Sequence, residues 1–330
     1  DFLDSFETEE EACQVTHDVR EIFRNGGFEL RNWTSNSMEL MRCLGEANGD
    51  IKCVSSMGDE AERVLGMRWN PASDELGFCT RACTAVSDLL IAERIPSKRE
   101  VLRCAILIQD LWRTGTQWDE EINDTQLKHW RRWIDLLPAI ADLRIPRSYG
   151  SNEEDVLEEW HLFVDASQHA YACVLYRYLT MLENLSVLIG GKAKVAPLKP
   201  LIIPKLELQA CVLGARFLRY TQEHHPINVR RRVLWSDNTV ALSWIRSDPR
   251  NYKPFVAHRV VEILESTSAD EWRWVPTDHN PADEATKWKG KPNFDFGGNW
   301  FQGPEFLLHG EDDWPSQRIN SDNPSEEIRQ

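Results

Sequence analysis

At Trp160 the texture of this chain changes, and that change limits its fold more than any other feature of the sequence. Beyond it, three strand-like segments follow one another: HLFVDA (161–166), YACVLYRYL (171–179) and LSVLIGGKAKVA (185–196). A helical pattern at 206–220, the strand RRVLWSD (231–237), helical patterns at 240–245 and 254–267, and the strand EWRWVP (271–276) come after. Consecutive strands followed by alternating helices and strands predict one mixed sheet with helices packed on it, an α/β fold. Two of its apolar strands end in an acid. Period-two alternation puts His161, Phe163 and Asp165 on one face of the first strand, and Asp237 in phase with Val233 and Trp235 on another.

The first half reads differently. Val15, Val19, Ile22 and Phe23 recur at helical spacing over 8–27, and Gly26-Gly27 ends that helix. A short strand with Phe28, Leu30 and Trp33 is expected next, then a helix over 38–44 and a strand over 63–69 (RVLGMRW). Helices are expected over 98–112 and 124–143. The turn-rich, acidic stretch 146–159 is the best boundary, and the Gly-, Pro- and Asp-rich segment after residue 290 reads as a loosely ordered tail. The expected organisation is therefore 1–70, 71–159, 160–290 and 291–330. At 330 residues, one core would be a stretch.

Charge sharpens this division. The net charge is -15, which argues against indiscriminate nucleic-acid binding, yet residues 161–291 hold 18 Lys and Arg against 13 Asp and Glu. No run reaches the roughly 18 apolar residues of a membrane span, and the chain opens on Asp1 with no signal segment. The expectation is an intracellular protein, cytoplasmic or nuclear, with no membrane contact. Eight cysteines without CxxC pairs read as reduced thiols, and Cys79 and Cys83 lack the further ligands of a zinc site.

Four carboxylates carry the chemistry. Asp165 and Asp237 end strands, and Glu207 follows Pro204 early in a helix where the helix dipole favours an acid. On that helix Leu206, Ala210, Leu213, Phe217 and Tyr220 form the predicted core stripe. Cys211 and Gly214 lie in line with Glu207 and are small enough to let the helix approach the sheet. Asp283 follows the last strand and the turn 277–281. Any one Asp at a strand end is ordinarily a surface or capping residue. Four acids together repel one another unless cations hold them, and oxygen-rich sites suit magnesium or manganese.

The motifs FVDAS, KLELQA, WSDNT and NPADEAT occur in the order of the ribonuclease H fold of retroelements. More closely, KAKVAPLK, IPKLELQACVLGAR, LWSDNTVALSWIR and WVPTDHNPADEATK resemble the ribonuclease H region of BEL/Pao-type retrotransposon polyproteins, and the likeness runs on through GPEFLL. The resemblance implies a five-stranded mixed sheet whose acids are Asp165, Glu207, Asp237 and Asp283. It also implies two Mg2+ or Mn2+ ions and hydrolysis of the RNA strand of an RNA/DNA hybrid. Asp165 would bridge both ions, Glu207 and Asp237 would hold the one near the leaving oxygen, and Asp283 the one carrying the water. DFLDSF and RVLGMRWN resemble the end of a reverse-transcriptase palm in which Asp1 stands as the second catalytic Asp. The expectation is a palm remnant over 1–70 without polymerase activity, a thumb or connection region over 71–159, shortened near 102–110, and the rest of a polyprotein (reverse transcriptase, integrase) as partner.

Two other readings stand beside this one. A catalytically inactive nucleic-acid-binding or interaction fragment would keep the fold without cutting. A Pao-type aspartic peptidase, a label attached to this region, would need a D-[ST]-G loop, and neither DSG nor DTG occurs here. Of the remaining polar residues, His279 is a candidate for moving water or product at the metal site, although an exposed loop His is the plainer reading. Arg230, Arg231 and Arg232 are candidate phosphate contacts, with a solvated strand edge as the alternative. Lys205 and Asn238 stand with them as nucleic-acid contacts. Trp235, Trp244, Trp272 and Trp274 read as core rather than base-stacking platforms.

Overall fold

The computed structural model describes residues 4, 6, 8–30, 33–45, 62–64, 67–78, 94–104, 116–147, 157–180, 185–225, 229–287, 294–316 and 327–328. The chain divides into two compact units, one formed by 1–96 with 123–149 and the other by 97–122 with 150–330.

In the first unit, α1 (Glu9–Asn25) is capped by Thr8, whose side chain accepts from the Glu11 N–H, and ends at Gly26. Gly27 has φ +80, the left-handed region that favours glycine. Of the short strand expected with Phe28, Leu30 and Trp33, residues 28–30 and 33 belong to no strand, and 31–32 lie outside the described residues. After α2 (Met38–Gly45), the strand expected over 63–69 is instead an antiparallel pair, β1 (Glu62–Val64) and β2 (Met67–Asn70). With β3 (Glu75–Phe78) and β4 (Arg144–Pro146) they form a four-stranded antiparallel sheet. Arg147 closes it with two hydrogen bonds, 2.7 and 2.9 Å, to the Asp74 carboxylate.

The helix expected over 124–143 is broken in two, α4 (Asp124–Ile134) and α5 (Leu137–Asp142). Pro138 explains the break, because it lacks the N–H that would bond to Ile134 and its ring crowds that carbonyl. In the second unit, α3 (Lys98–Cys104) starts where a helix was expected; the rest of the predicted stretch, from 105, lies outside the described residues, as do Cys79 and Cys83.

The second unit is built on a five-stranded mixed sheet in the order β7-β6-β5-β8-β9. Its strands are β5 (Leu157–Ala166), β6 (Ala170–Thr180), β7 (Leu185–Val195), β8 (Arg231–Ser236) and β9 (Trp272–Trp274). β5, β6 and β7 run antiparallel, whereas β8 lies parallel to β5 and β9 parallel to β8. One face carries α6 (Ile203–His224), α7 (Thr239–Ile245) and α8 (Pro254–Leu264) over Leu162, Val164, Leu175 and Leu234. Trp244 and Trp272 are fully buried in this core. α6 approaches closely at Gly214, where an added Cβ would lie 2.8 Å from both Leu162 Cδ2 and Val164 Cγ1. The line Glu207–Cys211–Gly214 therefore faces the sheet, while Tyr220, expected in the core stripe, is 54% exposed at the end of the helix.

The other face buries Phe163, Val174, Tyr176, Val233 and Trp235. Its cover corrects the expectation of a loose tail. Residues 294–316, with α10 (Asn299–Gln302), lay Phe306, Leu307 and Trp314 onto that face. Tyr176 donates its hydroxyl to the Trp300 carbonyl at 2.9 Å, and Gly303 turns the segment at φ +72. The segment is polar on average but places its few aromatics where the sheet needs them, a pattern that composition hides.

Candidate metal centre

Sheet register brings the first acids together. β5 and β8 are parallel neighbours with Val164 opposite Ser236, so the next residue of each, Asp165 and Asp237, emerges at the same end. The close seating of α6 delivers Glu207 to that end, and the Ala166 N–H donates to its carboxylate. Carboxylate oxygens of Asp165, Glu207 and Asp237 all lie within 4.8 Å of one another. Ligands across an octahedral magnesium stand about 4.2 Å apart, so a small adjustment admits a divalent cation.

Two of these acids are buried, and Asp237 is half-buried. Asp165 is 1% and Glu207 4% exposed, and Asp165 Oδ1 and Glu207 Oε2 have no hydrogen-bond partner among the described residues. Burial, then repulsion from Asp165 and Asp237, pushes the Glu207 pKa up to about 9. Burial raises Asp165 to about 6 against the opposing hydrogen bond from Thr286, and it raises Asp237 too, although Thr277 Oγ1 donates to Asp237 Oδ2 at 2.6 Å. Orphaned oxygens on clustered, desolvated carboxylates are what a hard cation satisfies.

Asp283 begins the short helix α9 (Asp283–Thr286) and is buried. Asn280 fixes its approach by donating to the Val164 carbonyl at 2.9 Å. Its charge acts on Asp165 and Asp237, but it is not one of the three-acid group, and its Oδ1 forms an ion pair with Lys287.

A cleft of about 410 Å3 opens over the acids, lined by Asp165, Glu207, Asp237 and Lys287 and by the β5–β6 turn, Ser167, Gln168 and His169. Sequence reasoning missed that turn and Lys287. The Lys four residues after Asp283 was the available signal for the latter. Ser167 braces the site by donating to the Thr286 carbonyl at 2.9 Å.

The other candidates lie elsewhere. His279 is exposed and packs at 6.2 Å from Phe306, outside the cleft lining. Asn238 sits beside Asp237, but its side chain caps α7 by accepting from the Ala241 N–H. Arg231 and Arg232 start β8, at the far end from Asp237, about 20 Å away along the strand. Arg231 is held by Glu311 and Arg232 by Glu271. Arg230 is exposed next to them, and Lys205 pairs with Glu327 at 2.8 Å. Trp235 is core, and half-buried Trp274 donates to the Asp237 carbonyl.

Residues 99–238 match the family model described as the Pao retrotransposon-like RNaseH-like domain, a span that includes Asp165, Glu207 and Asp237. Among solved structures, the N-terminal RNase H domain of a Mycobacterium tuberculosis protein, fused to maltose-binding protein, is 10% identical over 39% of this chain and 90% of that one, with TM-score 0.29. RNase H1 of Halobacterium salinarum is 10% identical over 39% of this chain and 92% of its own, with TM-score 0.26. A foamy viral protease-reverse transcriptase in complex with double-stranded DNA is 10% identical over 71% of this chain and 38% of its own, with TM-score 0.40. No curated protein matches. No helix among the described residues is long and apolar enough to cross a membrane. Over residues 99–238, the chain is therefore similar to the Pao retrotransposon-like RNaseH-like domain.

Proposed function

We propose that this chain is a metal-dependent endonuclease that hydrolyses the RNA strand of RNA/DNA hybrids, as part of a retroelement polyprotein that also includes reverse transcriptase and integrase. One observation carries the reading: three carboxylates from two parallel strands and a helix converge within 4.8 Å, two of them buried with an oxygen that has no hydrogen-bond partner among the described residues. Asp165, Glu207 and Asp237 would hold a divalent cation, magnesium or manganese, and Asp283 would contribute to a second. Bound there, such ions activate water and stabilise the leaving oxygen of a phosphodiester. The chain's own contribution is positioning. Thr277 orients Asp237, Thr286 orients Asp165, and the Ala166 N–H orients Glu207. Preference for RNA would come from 2′-hydroxyl contacts and groove shape rather than from base edges.

In this reading residues 1–70 would be the remnant of a palm and 71–159 a thumb or connection region. The inactive-fragment reading predicts hybrid binding without cutting. The test is cleavage of a labelled RNA/DNA hybrid by the full chain with and without Mg2+, beside Asp237→Asn. Magnesium-dependent cleavage that Asp237→Asn abolishes supports the proposal, and binding without cleavage in the parent overturns it.

A further inference from the structure

Lys287 enters the acid cleft from the C-terminal end of α9. One helical turn after Asp283, in the orientation that favours an acid-to-lysine pair, its ammonium pairs with Asp283 Oδ1 and lies 3.7 Å from Asp165 Oδ1. Its charge also acts on Glu207 and Asp237. Asp165 thus belongs to the three-acid group and also lies near an ammonium shared with the fourth acid.

We propose that the Lys287 ammonium occupies the second cation position of this centre. The chain takes up one divalent cation on Asp165, Glu207 and Asp237, and a second only by displacing Lys287 from Asp283 and Asp165. The inference rests on the metal-centre reading and deepens it by making uptake sequential. An ammonium and a divalent ion cannot share Asp165 and Asp283 without strong repulsion in a partly desolvated site. The lysine has a way out, since its side chain is 36% exposed and its stem is flexible. Displacement also frees a positive charge beside the cleft, where a substrate phosphate can receive it.

Titrating Mn2+ into the full-length chain, with calorimetry for affinity and electron paramagnetic resonance for ion count, tests this without any activity readout. The parent is expected to bind one ion tightly and a second weakly. Lys287→Met should tighten the second ion at least about tenfold, on the scale by which neighbours of metal ligands change affinity. Lys287→Arg should keep the parent's two-step profile. Lys287→Gln, uncharged but polar, serves as a second neutral variant should the Met variant fail to fold. Two ions bound by the parent with equal affinity, or neutral variants with the parent's second step, overturn the inference. A parent that binds no ion stoichiometrically, or binds as well after Asp237→Asn, overturns the metal-centre reading itself.

Discussion

The two ends of the five-stranded sheet treat charge in opposite ways. At the start of β5, Glu158 and Arg177 are 3% and 4% exposed but paired at 3.0 Å, and Trp160 Nε1 donates to Glu158 at 2.6 Å. Nearby, Arg231 and Arg273 both grip Glu311, and Arg232 grips Glu271. At the other end, three acids face one another and two of their oxygens lack a hydrogen-bond partner among the described residues. A buried ion pair explains itself as structure, whereas clustered carboxylates of one sign keep a cost that only an added cation removes. The same sheet therefore separates a structural end from a chemical end, and substitutions at the two should fail in different ways.

The largest contrast is expected from Asp165→Asn. Losing this ligand should reduce hybrid cleavage by more than about a hundredfold, beyond the range seen for outer partners of metal ligands. The metal-free melting temperature should hold or rise, because repulsion falls. Hybrid cleavage and thermal melting in chelator, measured on one preparation, check both halves. A collapse of the fold would erase the distinction between the ends.

Arg177→Ala should do the reverse. It leaves Glu158 buried and unpaired, a loss of about 3–5 kcal/mol, read as a lower denaturation midpoint. Metal affinity should stay at the parent value. A variant that melts normally but loses metal would refute the division.

Gly214→Ala links the ends through packing. Its Cβ would meet Leu162 and Val164 at 2.8 Å, so α6 must shift, at a cost of about 1–3 kcal/mol. Because the same helix carries Glu207, metal affinity should weaken along with stability. Unchanged metal binding in a destabilised variant would show that Glu207 is positioned independently of the close helix–sheet contact.

What the sequence revealed follows the same physics. Alternation in HLFVDA and RRVLWSD exposed both strand-end acids, and the small residues Cys211 and Gly214 marked the helix face that carries Glu207. These signals are local. Pairing is not: nothing within the run Arg230-Arg231-Arg232 points to Glu271 or Glu311, the latter 80 residues from Arg231. Lys287 hid in plain view because an i,i+4 acid–lysine pair is ordinary on helix surfaces. The covering segment 294–316 was misread because its burial depends on a few well-spaced aromatics against an already formed sheet. In the first unit, Pro138 was the overlooked local signal that splits one predicted helix into two.

The smallest expected effect is a slope with pH, and its sign is the test. Burial and mutual repulsion raise Glu207 to about 9 and Asp165 to about 6, above their ordinary values of 4.5 and 3.8. In the metal-free fold these groups bind protons more tightly than in the unfolded chain. Stability from this source is full below the unfolded values and is lost as pH rises through the folded ones. In chelator the protein should therefore lose stability from about pH 5 to 9, by at most about 1.4 kcal/mol per pH unit for each group titrating alone. Bound Mg2+ should flatten or invert the trend, because the cation favours the ionised carboxylates and its uptake releases protons. Glu207→Gln should flatten the upper part of the window, from about pH 6 to 9, without metal, since its amide does not titrate. The structural end works against this slope in the lower part of the window: burial lowers the pKa of His161 from its ordinary value of 6.5, so its share of stability rises with pH up to that value, while Glu311, held down at about 2 by Arg231 and Arg273, stays ionised throughout. Melting curves in chelator and in Mg2+ across this range decide the matter. A metal-free stability that rises with pH above the ordinary His161 value of 6.5, or a slope that survives Glu207→Gln unchanged in the upper window, would mean that the acids at the chemical end are not the strained group the structure describes.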